Sequence, residues 1–148
     1  PYSGCVATAV AQIMAFHKWP QKGVGKVSYT VTHYQDRLSA DFSQSEYKWS
    51  LMRDEYRTSS STEQQQAVAL LMKDVGIATQ MQYTPWYSGT LTWNAKEALQ
   101  EHFQYDVALL SKSSEVMAIP STCLDSNRLV RADMPGWLMV TTKMGSPT

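Results

Sequence analysis

The 148-residue chain sets 13 Lys and Arg against 13 Asp and Glu, so its formal net charge is zero, and it lacks the basic field that a general nucleic-acid binder needs to neutralise phosphates. Hydrophobic residues make up 43% and aromatic residues 11%, which suits one domain, 1–148, with a real core and excludes a disordered chain. Cys5 and Cys123 are its two cysteines, too few for a disulfide scaffold; no apolar run is long enough to cross a membrane, and no stretch near the start reads as a signal peptide.

Val6 to Trp19 is helix-compatible almost throughout, and Pro20 stops it. Val6, Ala9, Val10, Ile13, Met14 and Phe16 cover more than one face, so this helix is expected to be buried on several sides. Gln21 to Gly25 reads as a turn, and the alternating, β-branched stretch Val27–Thr32 as a short strand. Asp36 to Ser60 is polar and irregular; it reads as loop with one short helix near Ser50–Tyr56. Ser61 and Gln64 then form a capping box for a helix with an apolar stripe of Ala67, Val68, Leu70, Leu71, Met72 and Val75, and Gly76 suits its left-handed end.

Thr79 to Thr92 reads as a loop carrying Tyr83, Trp86 and Tyr87. These aromatics either line a binding groove or anchor the loop to the core. Asn94 and Glu97 make a second capping box, for a helix running to about Phe103 and burying Ala98 and Leu99. Val107–Leu110 is a strand candidate, Asp125 or Ser126 can cap a short helix through Leu129 and Val130, and Trp137–Thr141 is a last strand. Helices first and strands last is an α+β order, not a βαβ alternation.

Cys5 stands at the mouth of the first helix, within Ser3-Gly4-Cys5-Val6-Ala7. A thiol there faces unpaired backbone N–H groups and the positive end of the helix dipole, which favour the nucleophilic thiolate; small neighbours leave room for a substrate. The other reading is a buried core cysteine. A thiolate needs a base, and the chain offers His17, His33 and His102. His17 lies twelve residues along the same helix, roughly 18 Å away at 1.5 Å per residue, so it is expected to finish that helix as a cation. His33 reads as a surface residue, and His102 sits near the end of a later helix beside Glu101 and Phe103. No metal-ligand spacing, phosphate loop or Gly-x-Ser-x-Gly elbow occurs, so neither metal nor cofactor is expected.

The segment Ser3-Gly4-Cys5-Val6-Ala7-Thr8-Ala9-Val10-Ala11-Gln12-Ile13-Met14, followed by His17, Trp19-Pro20 and Lys22-Gly23, resembles the nucleophile segment of the streptopain family of papain-like cysteine peptidases. Tyr47-Lys48-Trp49, Ala69 to Ile77, Met81-Gln82-Tyr83, Ser88-Gly89 and Ala98 to Tyr105 follow in the family's order, so the resemblance runs from Pro1 to about Thr142. It implies a papain-like α+β fold: a helical lobe with a long central helix and an incomplete antiparallel β lobe. It implies hydrolysis of protein or peptide substrates through a thioester acyl-enzyme on Cys5, the Cys5 backbone N–H helping to hold the oxyanion. An inhibitory propeptide and a secreted, cell-surface or periplasmic location in bacteria follow from the same resemblance.

The family's Gly-Gly-His segment after the strand resembling Trp137–Thr142 has no counterpart here, nor has its Trp-Gly-Trp-Gly-Gly stretch or the oxyanion glutamine before the cysteine. The resemblance therefore implies an internal piece that carries the nucleophile without the catalytic histidine, inactive alone and requiring a His-bearing segment, in a second chain or in further sequence. The alternative is a catalytically inactive papain-like module that keeps the fold to bind or to support structure.

Overall fold

A computed structural model describes residues 3–109, 116–120, 131–132 and 140–141. Helix α1 (Cys5–His17) forms from small and aliphatic residues and ends where Lys18 turns left-handed, at φ 51° and ψ 44°. The N–H groups of Lys18 and Trp19 return to the carbonyls of Ala15 and Met14. Pro20, with no N–H to give, cannot extend the ladder. Ala7, Val10, Ala11 and Met14, at the i, i+3, i+4, i+7 spacing of one helix face, are buried, as is Ile13 beside them. Phe16, expected inside, is 58% exposed. It lies on the side opposite that stripe, which Cys5 and Gln12 share and where both are also exposed.

Strand β1 (Lys26–Thr30) pairs antiparallel with β2 (Arg37–Asp41), Lys26 opposite Asp41 and Thr30 opposite Arg37. The reading of 36–60 as loop is therefore corrected over 37–41. Its two apolar residues, Leu38 and Ala40, alternate and join Val27 and Tyr29 on the half-buried face of the hairpin. The short helix expected near Ser50–Tyr56 is reduced to a 3-10 turn, Trp49–Leu51, and another 3-10 turn, Phe42–Gln44, precedes it. Each inserts an aromatic ring, Phe42 and Trp49, into the core.

Helix α2 (Thr62–Ala78) carries both bonds of the capping box. Ser61 Oγ accepts from the Gln64 N–H at 3.3 Å, and Gln64 Oε1 accepts from the Ser61 N–H at 3.2 Å. Gly76 is not its left-handed end; the helix passes through it to Ala78, and Gln80 takes the positive φ, 52°. Gly76 has another reason to lack a side chain, since a Cβ there would overlap the phenolic oxygen of Tyr83.

The stretch expected as loop, Thr79–Thr92, contains a tight hairpin, β3 (Gln82–Tyr83) with β4 (Ser88–Gly89). Helix α3 (Thr92–Glu101) starts before the expected Asn94 cap. Asn94 Nδ2 donates instead to Thr90 Oγ1, and Glu97 Oε1 accepts from the Trp93 indole, so the second capping box does not form. Strand β5 (Tyr105–Leu109) pairs antiparallel with β6 (Val116–Pro120), and β7 (Arg131–Ala132) with β8 (Val140–Thr141). The latter holds two residues of the expected strand Trp137–Thr141; the rest of that strand, and the helix expected through Leu129 and Val130, lie outside the described residues.

The core wraps α1. Its apolar face meets α2 and α3 together with Phe42, Tyr47, Trp49, Phe103 and Tyr105. One carboxylate is sealed within it: Asp74, with no exposed surface, accepts from the Tyr47 hydroxyl at 3.0 Å and has Lys73 Nζ 3.5 Å from its other oxygen. Burial, reinforced by the Asp74 charge, pushes the Tyr47 phenol up, so it stays protonated and can donate. Among the described residues no helix is long and apolar enough to cross a membrane.

Gly76→Ala should destabilise the fold by about 1–3 kcal/mol, the usual scale of overpacking, measured by urea denaturation. In a Tyr83→Phe background the next ring atom lies 3.6 Å from the new Cβ, an ordinary contact. There the same change should become neutral, or stabilising by up to ~1 kcal/mol through helix propensity. An equal penalty in both backgrounds would refute this account of Gly76.

Candidate active site

Cys5 is the first residue of α1, a free and exposed thiol. Its placement depends on Gly4, which caps the helix at φ 86° and ψ 146°, a backbone state that residues with a Cβ rarely adopt. Space enforces the same choice: a Cβ on Gly4 would overlap Met81 Cε and stand 3.0 Å from the Ser88 carbonyl oxygen. The mouth of α1 is thus pressed against the β3–β4 hairpin. The Gly4 carbonyl accepts from the Thr8 N–H at 3.1 Å and from the Thr8 hydroxyl at 2.9 Å. Gly4 has no side chain to cap the helix, so its first-turn N–H groups receive no capping bond from the N-cap position beside the thiol.

The hairpin is tied on its other side to β1–β2. Tyr29 donates its hydroxyl to the Met81 carbonyl at 2.6 Å, and Gln82 Oε1 accepts from the Thr32 N–H at 2.8 Å. Burial, with the Tyr83 charge second, pushes the Tyr29 phenol up and keeps it a donor. Thr90 donates to the Thr79 carbonyl at 2.7 Å where the hairpin leaves α2. Ser88, which the sequence marks only as part of the resembling Ser88-Gly89 pair, is buried next to Gly4, and among the described residues its Oγ has no hydrogen-bond partner.

The three histidines each serve elsewhere. His17 ends α1, its ring edge-on to Phe16 at 5.2 Å and to Tyr105 at 6.0 Å. Burial lowers its pKa, which disfavours the cation expected at the helix end. His33 is exposed, as expected, edge-on to Tyr34 at 4.7 Å and to Trp86 at 5.6 Å. His102 leans on Phe42, and its Nδ1 lies 2.9 Å from the Val24 carbonyl oxygen. It closes the turn at Gly25, where a Cβ would stand 3.4 Å from that nitrogen. Among the described residues no hydrogen bond joins a histidine to Cys5, and no group of His, Cys, Asp and Glu is placed to hold a metal ion. Cys123 lies outside the described residues.

The aromatic loop divides. Tyr83 is half-buried against α2, whereas Trp86 and Tyr87 at the hairpin tip are 74% and 66% exposed. Tyr83 thus anchors the loop to the core, while Trp86 and Tyr87 stand at the surface.

The model of the peptidase C10 family matches residues 1–143. The thiol protease/hemagglutinin PrtT of Porphyromonas gingivalis is 38% identical over 114 residues, 73% of this chain and 13% of that protein. Streptopain of Streptococcus pyogenes is 36% identical over 110 residues, 70% of this chain and 28% of that protein. The chain thus spans a minor part of these relatives. Among solved structures, a prointerpain A fragment of Prevotella intermedia is 29% identical with a TM-score of 0.66, over 76% of this chain and 38% of that one. Active wild-type interpain A cysteine protease from the same organism is 32% identical with a TM-score of 0.65, over 72% and 46%.

Two outcomes follow from this geometry. Gly4→Ala should lower thermal stability by roughly 2–4 kcal/mol, strain and overlap together, and should change the alkylation rate of Cys5; an unchanged melting temperature and rate would show that the mouth of α1 is not held by this contact. For His17, the folded pKa lies below the unfolded one, so the unfolded chain binds more protons. Stability should then fall as pH drops through about 6.5, the unperturbed value. Urea midpoints for the parent and His17→Gln between neutral and mildly acid pH test this: the substitution should flatten that part of the profile.

Proposed function

The chain belongs to the peptidase C10 family and has an α+β, papain-like fold, and from that premise we propose that it carries the nucleophile of a cysteine peptidase, with Cys5 as the attacking thiolate. The observation that supports this most directly is the free, solvent-exposed sulfur at the first position of a helix that buries one face and has no side-chain cap from its N-cap glycine. In this reading Cys5 Sγ attacks the scissile carbonyl. The developing oxyanion is met by the Cys5 backbone N–H, an imidazolium protonates the leaving amine, and water then releases the acyl group from the thioester. The substrate is a protein or peptide. The cell exports the enzyme, and a propeptide restrains it until needed; the solved prointerpain A fragment supports the propeptide by kinship.

The imidazole is the part these residues do not bring to Cys5. His17 faces Tyr105, His102 faces Val24 and His33 faces Trp86. We therefore propose that the base comes from a segment other than these 148 residues, whether in further sequence or in a second chain, and that the 148 residues alone turn over no peptide. The same observation favours the second reading, a papain-like module that only binds.

Alkylation separates the two. With iodoacetamide near pH 6, and with modified sites mapped by mass spectrometry, Cys5 should react at least about tenfold faster than a model thiol, as activated thiols do, and Cys5→Ser should abolish that fast phase. Reaction at Cys5 no faster than the model thiol would favour the binding module. Casein turnover by the isolated chain that Cys5→Ser removes would instead show His33 or His102 recruited to the sulfur.

A further inference from the structure

Helix α1 contains a single hydroxyl side chain, Thr8, set among Ala7, Ala9, Ala11 and Ala15. Threonine is a poorer helix former than alanine by about 0.5 kcal/mol. A hydroxyl that bonds back to the carbonyl four residues earlier also weakens and bends a helix slightly. Thr8 makes that bond: its hydroxyl donates to the Gly4 carbonyl at 2.9 Å, beside the helical bond from its own N–H at 3.1 Å. Propagation of the helix is therefore not what this hydroxyl serves.

It acts instead on the peptide unit next to the thiol. The Gly4 carbonyl and the Cys5 N–H belong to one peptide unit, which is trans, so the two groups point in opposite directions. The carbonyl is drawn down α1 toward Thr8, which aims the Cys5 N–H back out of the helix mouth. Nothing in Gly4 itself fixes that plane, because a residue with no Cβ rotates with little hindrance. The hairpin seats Gly4 from outside, through Met81 and the Ser88 carbonyl, and the paired bonds from Thr8 hold its carbonyl. Thr8 has one hydroxyl proton and gives it to Gly4, so Ser3 is the donor in the 3.4 Å contact between the Ser3 and Thr8 hydroxyls. Ser3, Thr8 and the Gly4–Cys5 peptide thus form one run of aligned dipoles. Each bond polarises the next, so a carbonyl that accepts from Thr8 twice leaves the Cys5 N–H a stronger donor at the other end of the unit.

We propose that Thr8 is a positioning residue for the oxyanion: its hydroxyl fixes the plane of the Gly4–Cys5 peptide, and so aims and strengthens the Cys5 N–H that meets the charge developing on the attacked carbonyl. The inference rests on the reading of Cys5 as a peptidase nucleophile. It adds a residue that touches neither the substrate nor the sulfur, yet sets the direction of a donor whose value depends on its distance from the developing charge.

The test uses N-acetyl-phenylalanyl-glycinal, with the corresponding alcohol as control, so that it needs no catalytic base. The Cys5 thiol adds across the aldehyde: the S–C bond forms, the C=O π bond opens, and the thiol proton ends on the oxygen, which takes the place of the oxyanion. The alcohol cannot add, so the ratio of the two affinities isolates the adduct. Thr8→Val keeps the branched shape and removes the hydroxyl. There the ratio should fall about tenfold, less than the hundredfold or more expected when an oxyanion donor is removed outright. Thr8→Ala, a better helix former that also lacks the hydroxyl, should lose the ratio equally and serves where Thr8→Val does not fold. Thr8→Ser restores a hydroxyl and should return the ratio to within about threefold of the unsubstituted chain, under 1 kcal/mol. The Gly4 carbonyl carbon resonance reports the bond itself: it should move upfield in Thr8→Val and Thr8→Ala and return in Thr8→Ser. A ratio indifferent to the hydroxyl, or lost alike in all three variants, overturns the proposal. Iodoacetamide kinetics on the unsubstituted chain report separately on the nucleophile. A slow Cys5 with a Thr8-dependent aldehyde preference would remove the peptidase reading and leave the positioning of the peptide. A fast Cys5 whose aldehyde preference is absent or independent of Thr8 would remove the role of Thr8 alone.

Discussion

The arrangement at the mouth of α1 depends on one missing side chain. Gly4 lets a hairpin backbone and a methionine methyl lie directly against the start of the helix, and it adopts a backbone state that suits a residue with no Cβ. Without that contact the first turn of α1 would have to rise off the β3–β4 hairpin, and Cys5 with it. The buried stripe of Ala7, Val10, Ala11 and Met14 fixes the rotation of the helix, which turns Cys5 outward with Gln12 and Phe16. Glycine sets how closely the helix approaches, the stripe sets which way the sulfur faces, and both are needed to hold an exposed thiol on a buried rod.

How much of this was legible in the sequence depended on how local the determinant was. The Ser61–Gln64 box concerns two residues three apart, and both of its bonds are present. The end of α1 at Lys18, just before Pro20, is equally local. The misread residues answer to distant partners. Gly76 resembled a helix end because glycine often is one, but its lack of a side chain serves Tyr83, seven residues on. Asn94 and Glu97 had the spacing of a cap and were drawn to Thr90 and Trp93. Strand β2 offered only Leu38 and Ala40 as apolar residues and owes its state to pairing with β1. Phe16 was read by its hydrophobicity when its angular position on the helix was what mattered.

For the site, the sequence picked out Cys5 by local pattern and by resemblance. It could not place the histidines, because a side chain's partner across the fold leaves no periodic trace. His102 meets Val24 across 78 residues of chain, and His33 meets Trp86 between two hairpins. His17 reads from the sequence by the helix dipole, whereas burial of its ring, packed beside Tyr105, lowers its pKa. Ser88 had no signal of its own. Its significance lies in its carbonyl touching Gly4, which emerges only once the hairpin is folded onto α1.

The β3–β4 hairpin ties the mouth of α1 to the rest of the fold. Its stem is fastened to β1–β2 by the Tyr29 hydroxyl and the Thr32 amide, to the end of α2 by Thr90, and to α1 by the glycine contact. Its tip is braced by His33. A shift of the β1–β2 hairpin therefore reaches both ends at once: it moves the stem that seats Gly4 and the histidine that flanks Trp86.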